Sequence, residues 1–398
     1  MAARPAIDPG VYRLAGAHFV ADAYSNLYAP LLPALIPRLG LSLAAAGTLA
    51  MLFQLSASVS QLGFGHLADR WRPRMFMVAG PILSVTILSF IGTAWSPFVL
   101  GVVLVAGGLG GAAFHPAAAA LAHRLGGQRR GLAMSIHITG GSLGYSLAPV
   151  LFAPFVGAFG LSWTPALALP GLALLAAVLP GAPDVQPFGH GQGGGFAALR
   201  PYAKPLTLLY LVVVLRTMTS LSLATFVPVL LVRQGWSVGM AGVAVSVYLF
   251  AASMGGVIGG PMADRFGSKH VIAVSMLLAV PFLVTAASLE GWALVIMLTV
   301  GGFFLQSTLP VNITFAHQIA PVSAATVSSL MMGFAWGTGG LTAPLIGTMA
   351  DRAGIEPTLM AIAFLPLLAA LCAVPLPADV PHEGAARVAA VHEPSMDV

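Results

Sequence analysis

Charge is what this chain has least of. Of its 398 residues only 7% are Asp, Glu, Lys or Arg, against 58% hydrophobic, whereas a soluble domain carries about a quarter charged residues. So few charges cannot cover a water-facing surface of this size, which excludes a soluble enzyme. Cysteine is nearly absent as well: Cys372 stands alone, excluding an internal disulfide and a cysteine-built metal centre. There is no Walker loop and no His-Glu-x-x-His pair, so nucleotide and zinc-hydrolase chemistry lack their motifs, and neither a cofactor nor a bound metal is expected. The opening MAARPAIDPG has no apolar stretch ending in a small-residue cleavage site. It therefore does not read as a removable signal peptide.

What the chain does have is long apolar runs, and a helix crossing a bilayer needs roughly 20 such residues. Runs bounded by Pro, Gly or charge predict twelve spans, near 12–37, 42–66, 74–94, 97–122, 131–159, 163–181, 205–232, 239–263, 270–289, 292–318, 322–349 and 356–376. The fold class expected is an all-α membrane protein of two six-helix bundles. Residues 1–181 form the first bundle, the Gly-rich stretch 182–204 a flexible cytoplasmic linker, 205–376 the second bundle, and 377–398 a disordered tail. The net charge of +5 does not imply nucleic acid, because the basic residues sit in short loops between spans. They report topology instead. With both termini inside, thirteen of the seventeen fall on the cytoplasmic side, Arg38, Arg233 and Arg352 fall outside, and Arg216 lies within a span.

The halves repeat. A shift of 195 positions superposes Gly65, Asp69 and Arg70 on Gly260, Asp264 and Arg265, and Ala148-Pro149 on Ala343-Pro344. Internal repeats of this kind suit transporters that move one bundle against another around a midplane site. The two loop segments, Gly65-x-x-x-Asp69-Arg70 through Arg74 and Gly260-x-x-x-Asp264-Arg265-x-Gly267 through Lys269, resemble the loop motif of the major facilitator superfamily. That resemblance implies a cytoplasmic gating latch at Gly65, Asp69, Arg70, Gly260, Asp264 and Arg265. The first copy departs from the pattern at Arg72 and Pro73. A third match, Gly347-x-x-x-Asp351-Arg352, follows span 11 on the opposite side and is expected to be a helix end. Within the superfamily, the chain resembles the fosmidomycin-resistance-like transporters. The residues that carry this are His18-Phe-Val-Ala-Asp22, Phe114-His115-Pro116, Gly131-Leu-Ala-Met-Ser135 with Gly140-Gly141-Ser-Leu-Gly144, and Met332 to Gly340. The resemblance implies proton-driven efflux or exchange; Ala117 and His137 stand where relatives often carry an acidic residue and a glutamine.

Charges inside spans cost about 2.5–3.5 kcal/mol on insertion scales and usually face a cavity. Two are clearly intramembrane, Asp22 and Arg216, and the shift maps Asp22 to within one residue of Arg216. His18, Asp22 and Asn26 recur every four residues and so are expected on one helix face. Asp22 with His18 is the expected proton-coupling site, since histidine exchanges protons near neutral pH. Arg216 is expected either to hold an anionic substrate group or to pair with Asp22, the alternative being a permanent ion pair tying the halves. Asn26, His115, His137, Gln306 and Asn312 are further candidate substrate contacts. The glycine runs 107–111 and 255–260 lie within apolar spans and are read as helix-packing surfaces rather than nucleotide loops.

The expected function is proton-coupled efflux, by alternating access, of a small compound, with anionic and drug-like ones both open. Uptake by proton symport shares every one of these features. A membrane enzyme or metal protein built on His18, Asp22, His115 and His137 is disfavoured because the helices carrying them need not converge, and a sensor or scaffold because there is no soluble output domain. Expected partners are the lipid bilayer, protons and a small-molecule substrate, with no nucleic acid, for a monomer. Fifteen arginines against two lysines, with abundant Ala and Gly, suggest a bacterial gene of high GC content and hence the inner membrane.

Overall fold

The computed structural model describes residues 7–180, 196–321 and 324–378, and among these all regular structure is helical. The first bundle comprises α1 (Pro9–Ser25), α2 (Tyr28–Leu39), α3 (Leu43–Arg70), α4 (Pro73–Leu88), α5 (Pro97–Leu125), α6 (Arg130–Phe159) and α7 (Ala168–Val178). The second comprises α8 (Ala203–Arg233), α9 (Val238–Phe266), α10 (Ser268–Ala287), α11 (Gly291–Ile319), α12 (Ala324–Ser328), α13 (Ala335–Gly340), α14 (Ala343–Ala353), α15 (Ile355–Ala363) and α16 (Leu365–Ala373). Ten of the expected spans are helical runs long and apolar enough to cross a bilayer. The first and eleventh are also present but broken. The linker expected over 182–204 lies outside the described residues as far as 195, and its described end, Phe196–Tyr202, is a 3-10 helix rather than flexible chain. The expected tail lies outside them from 379 onward.

Proline explains where the first span breaks. Pro30 has no N–H to offer the carbonyl of Asn26, and the chain leaves helical geometry at Asn26, between α1 and α2. In the eleventh span a π-helical turn at Ser329–Phe334 precedes α13, and a second interruption at Leu341–Thr342 precedes Pro344, in the first turn of α14. Pro116 does not interrupt its helix: α5 is continuous through it.

The repeat is visible in three dimensions. Gly40 and Gly235, 195 apart, both adopt positive φ (61° and 90°). Two residues on, Ser42 and Ser237 each cap the following helix, accepting from Ala45 N at 3.1 Å and Met240 N at 3.2 Å. Each half then presses a helix start onto the other half. A Cβ on Gly47 would collide with the backbone of Ala343, and one on Gly242, its repeat partner, would stand 2.6 Å from the Pro149 carbonyl oxygen. Only glycine permits these approaches. The α6–α9 seam adds a hydrogen bond from Val150 N to Ser246 Oγ at 2.8 Å.

Asp351 completes the α3–α14 seam. Its Oδ1 accepts from Leu43 N and its Oδ2 from Ala44 N, both at 2.9 Å, so one carboxylate crosses from the second bundle to cap the first turn of α3. The third motif copy therefore is a helix end, at the bundle end opposite Asp69, and is a tie between the halves as well. Contact between α3 and the eleventh span continues to mid-helix, where a Cβ on Gly337 would stand 3.7 Å from Val59 Cγ2. Further along, Gly63 of α3 and Gly260 of α9 face open space.

Candidate functional site

The intramembrane charges fall into two clusters, one in each bundle. The first is set up by how closely α1 approaches α6. A Cβ at Gly140 or Gly144 would strike the backbone of Ala15 or Phe19, so the glycines let α1 lie directly on α6. This brings His18 onto His137, ring centroids 4.3 Å apart and stacked, and sets Gly141 beneath the His18–Asp22 pair.

Within that cluster Asp22 lies between two imidazoles. His18 Nε2 is 3.2 Å from its Oδ2 and His115 Nε2, from α5, is 3.4 Å from its Oδ1. His18 Nδ1 is 2.9 Å from the His137 carbonyl oxygen. A carbonyl can only accept, so Nδ1 carries a proton, and Nε2 faces the carboxylate. At 3.2 Å a lone pair on Nε2 would face the carboxylate unfavourably, so the contact favours a proton between His18 and Asp22, held either as imidazolium or as carboxylic acid. The donor atoms of His18, Asp22 and His115 all fall within 4.8 Å of one another, a spacing a small metal cation would also fit. The helices carrying them thus do converge, contrary to the expectation drawn from sequence.

Around this pair the other candidates take varied positions. His137 is buried and its Nδ1 has no partner. Asn26, the C-cap of α1, keeps the face of His18 and Asp22: its N–H reaches the Asp22 carbonyl, and its Nδ2 donates at 2.8 Å to the Tyr145 carbonyl, eight residues along α6 from the His137 carbonyl that meets His18.

The second cluster surrounds Arg216, mid-way along α8 and 1% exposed. Its guanidinium donates to Gln306 Oε1 of α11 and to Thr217 Oγ1 at 3.3 Å, and lies 5.4 Å from the Trp336 ring centre. Its Nε has no partner. Neither expected pairing of Arg216 with Asp22 is present: the ion pairs of Asp22 are with His18 and His115, and among the described residues Arg216 has no acid within ion-pair distance. Equal depth in the repeat did not mean facing, since adjacent helix positions point about 100° apart. Asn312, also on α11, is buried, with Nδ2 3.5 Å from Thr308 Oγ1 and Oδ1 unpartnered.

The loop-motif residues sit at the bundle end opposite Asp351. A Cβ on Gly65 would stand 3.6 Å from Pro116, Arg265 lies over the Phe266 ring, and Lys269 Nζ donates to the Leu376 carbonyl at 2.8 Å, each of these contacts within its own bundle. Asp264 and Arg70 are exposed; the Asp69 side chain lies outside the described residues. Trp336, Gly141 and Asp351 were not singled out from sequence as site residues. The Asp-Arg pair after Gly347 was the one available signal for Asp351.

Comparison with known proteins agrees with this geometry. The Major Facilitator Superfamily model matches residues 14–237 and 209–394. The chain belongs to the major facilitator superfamily. It is 30% identical over 368 residues to the fosmidomycin resistance protein of Escherichia coli (strain K12), covering 89% of each, and 28% identical to an uncharacterized MFS-type transporter of Bacillus subtilis (strain 168), covering 91% of each. Among solved structures it resembles a bacterial homolog of the human lysosomal transporter Spinster in an inward-facing, unoccupied conformation, with TM-score 0.78 at 18% identity over 93% of this chain and 97% of that one. The nucleoside transporter NupG follows, with TM-score 0.73 at 15% identity over 93% and 99%. At such identities these structures speak for the fold alone. The superfamily member is a multi-pass membrane transporter and not an enzyme, and within the superfamily it resembles the fosmidomycin-resistance-like transporters.

Proposed function

We propose that the protein is a proton-coupled exporter of a small compound in a bacterial inner membrane, with both termini cytoplasmic, working by alternating access. The observation that carries this is Asp22 between His18 and His115. Asp22 is the one acid in the middle of an apolar span of the sequence, and it lies 3.2 Å from an imidazole whose other nitrogen is 2.9 Å from a carbonyl oxygen. A site holding one exchangeable proton near the bilayer centre is what coupling to a proton gradient requires. Export rather than uptake is supported by the likeness to a resistance protein. The seams at Asp351 and Gly242 close the outer end, and the loop motifs latch the inner end when the bundles rock.

The test is counterflow of a panel of compounds in proteoliposomes with and without an imposed pH gradient. Asp22→Asn should leave counterflow exchange measurable and remove its acceleration by the gradient. Gradient-driven flux in Asp22→Asn equal to that of the wild type would refute the proton assignment. So would a stoichiometric metal ion in the purified protein.

A further inference from the structure

The geometry points to Arg216 as the seat of an anionic group on the transported compound, so that the substrate class is organic anions. This rests on the reading of the chain as a transporter and adds to it the chemistry of the cargo.

The reason is a charge without a counter-charge. Arg216 is 1% exposed, yet among the described residues its guanidinium hydrogen-bonds only to the neutral oxygens of Gln306 and Thr217, and Nε has no hydrogen-bond partner. A buried cation of this kind calls for an anion. The second bundle cannot supply one by rearranging. Its acids within 205–376 are Asp264, Glu290, Asp351 and Glu356, and each sits at a helix end, in the last turns of α9 and α14, at the cap of α11 and in the first turn of α15. Asp22 is already engaged by two histidines of its own bundle. The counter-ion therefore comes from outside the protein.

The surroundings are built to admit one. Gln306 and Trp336, which cover the guanidinium, are both partly exposed although Arg216 is not. Trp336 stands on α13, directly after the π-helical turn Ser329–Phe334, a feature that recurs at functional sites. That short helix is pinned to α8 by Tyr210 Oη and Thr338 Oγ1 at 2.6 Å and touches the other bundle through Gly337. An anion displacing Gln306 Oε1 gains the guanidinium fork bidentately, with the indole face as a flat wall beside it. Because α13 lies between Arg216 and α3, filling the site bears directly on the contact between the bundles.

The full-length protein in detergent would be titrated with acetate, benzoate and sulfate, with choline and glucose as controls, following tryptophan fluorescence and thermal stability. Saturable binding of at least one anion and of neither control is expected. Arg216→Gln should weaken it about ten-fold or more, as loss of a buried charge partner does, and Arg216→Lys should restore part of it. Gln306→Glu keeps the shape and installs a carboxylate at the guanidinium. It should raise the melting temperature while abolishing anion binding, a result that misfolding cannot mimic. Wild type that binds none of the anions, or Gln306→Glu that binds them undiminished, overturns the assignment. Asp22→Asn should bind anions normally while losing acceleration by the pH gradient, so the proton reading and this one fail separately.

Discussion

Replacing Asp351 by alanine should loosen the α3–α14 seam and let the bundle end opposite the termini open. The carboxylate caps two amides, Leu43 N and Ala44 N, at 2.9 Å each. Loss of a cap costs about 1 kcal/mol, and removing a negative charge from a helix N-terminus about 0.3–1 kcal/mol more at an exposed site. Ser42 Oγ still caps Ala45 N, so the helix start survives and the loss falls on the seam. A change of about 1–2 kcal/mol alters a two-state ratio by about 5–30-fold. Asp351 accepts these bonds in the arrangement where the seam is closed, so the whole of that change favours the open one. The assay is pulsed electron paramagnetic resonance on a Cys372→Ser background, with spin labels at Arg38 and Glu356, both exposed and on opposite bundles at this end. Asp351→Ala should add a longer-distance population, and raised salt should produce a weaker version in the unaltered protein. Distance distributions that coincide, in a variant that is folded, would refute the reasoning.

Two further substitutions follow from close approaches. In Gly141→Ala the new Cβ would stand 2.6 Å from Asp22 Oδ2 and from His18 Cε1, so the pair must separate; gradient-driven transport should fall about ten-fold, the effect of losing a positioned proton-transfer group being of order 10²–10⁴ at most, while Gly131→Ala, with nothing within 4 Å, should leave transport unchanged. Gly242→Ala and Gly47→Ala each place a methyl against backbone of the opposite bundle. Overpacking costs about 1–3 kcal/mol, and both variants should shift the same spin-label distances as Asp351→Ala, in the same direction, because the two glycines are repeat partners.

The spans were legible in the sequence because lipid imposes one requirement on every crossing segment, that backbone groups be satisfied within the helix and side chains be apolar. That requirement is local, so hydropathy alone gave twelve runs and their parity, while the twofold repeat was legible in the Gly-Asp-Arg and Ala-Pro residues that recur at a spacing of 195. The positions of Asp22 and Arg216 as buried charges were legible for the same reason, each standing alone in an apolar run. The breaks at Asn26 and Ser329 were not, since in an apolar run a broken helix has the same hydropathy as an intact one.

Which groups meet was decided only by tertiary structure. His115 lies 93 positions from Asp22, and the Nδ1 of His18 is fixed by a carbonyl 119 positions away; glycines set how closely α1 and α6 approach, and nothing in the spacing along one helix encodes that. Arg216 shares a depth with Asp22 yet finds Gln306, because the facing of a side chain depends on how its helix is turned, and a step of one residue turns it by about 100°. Asp351 read as a helix end and proved a tie between bundles for the same reason: sequence fixes that a carboxylate is present, and packing decides whose amides it reaches.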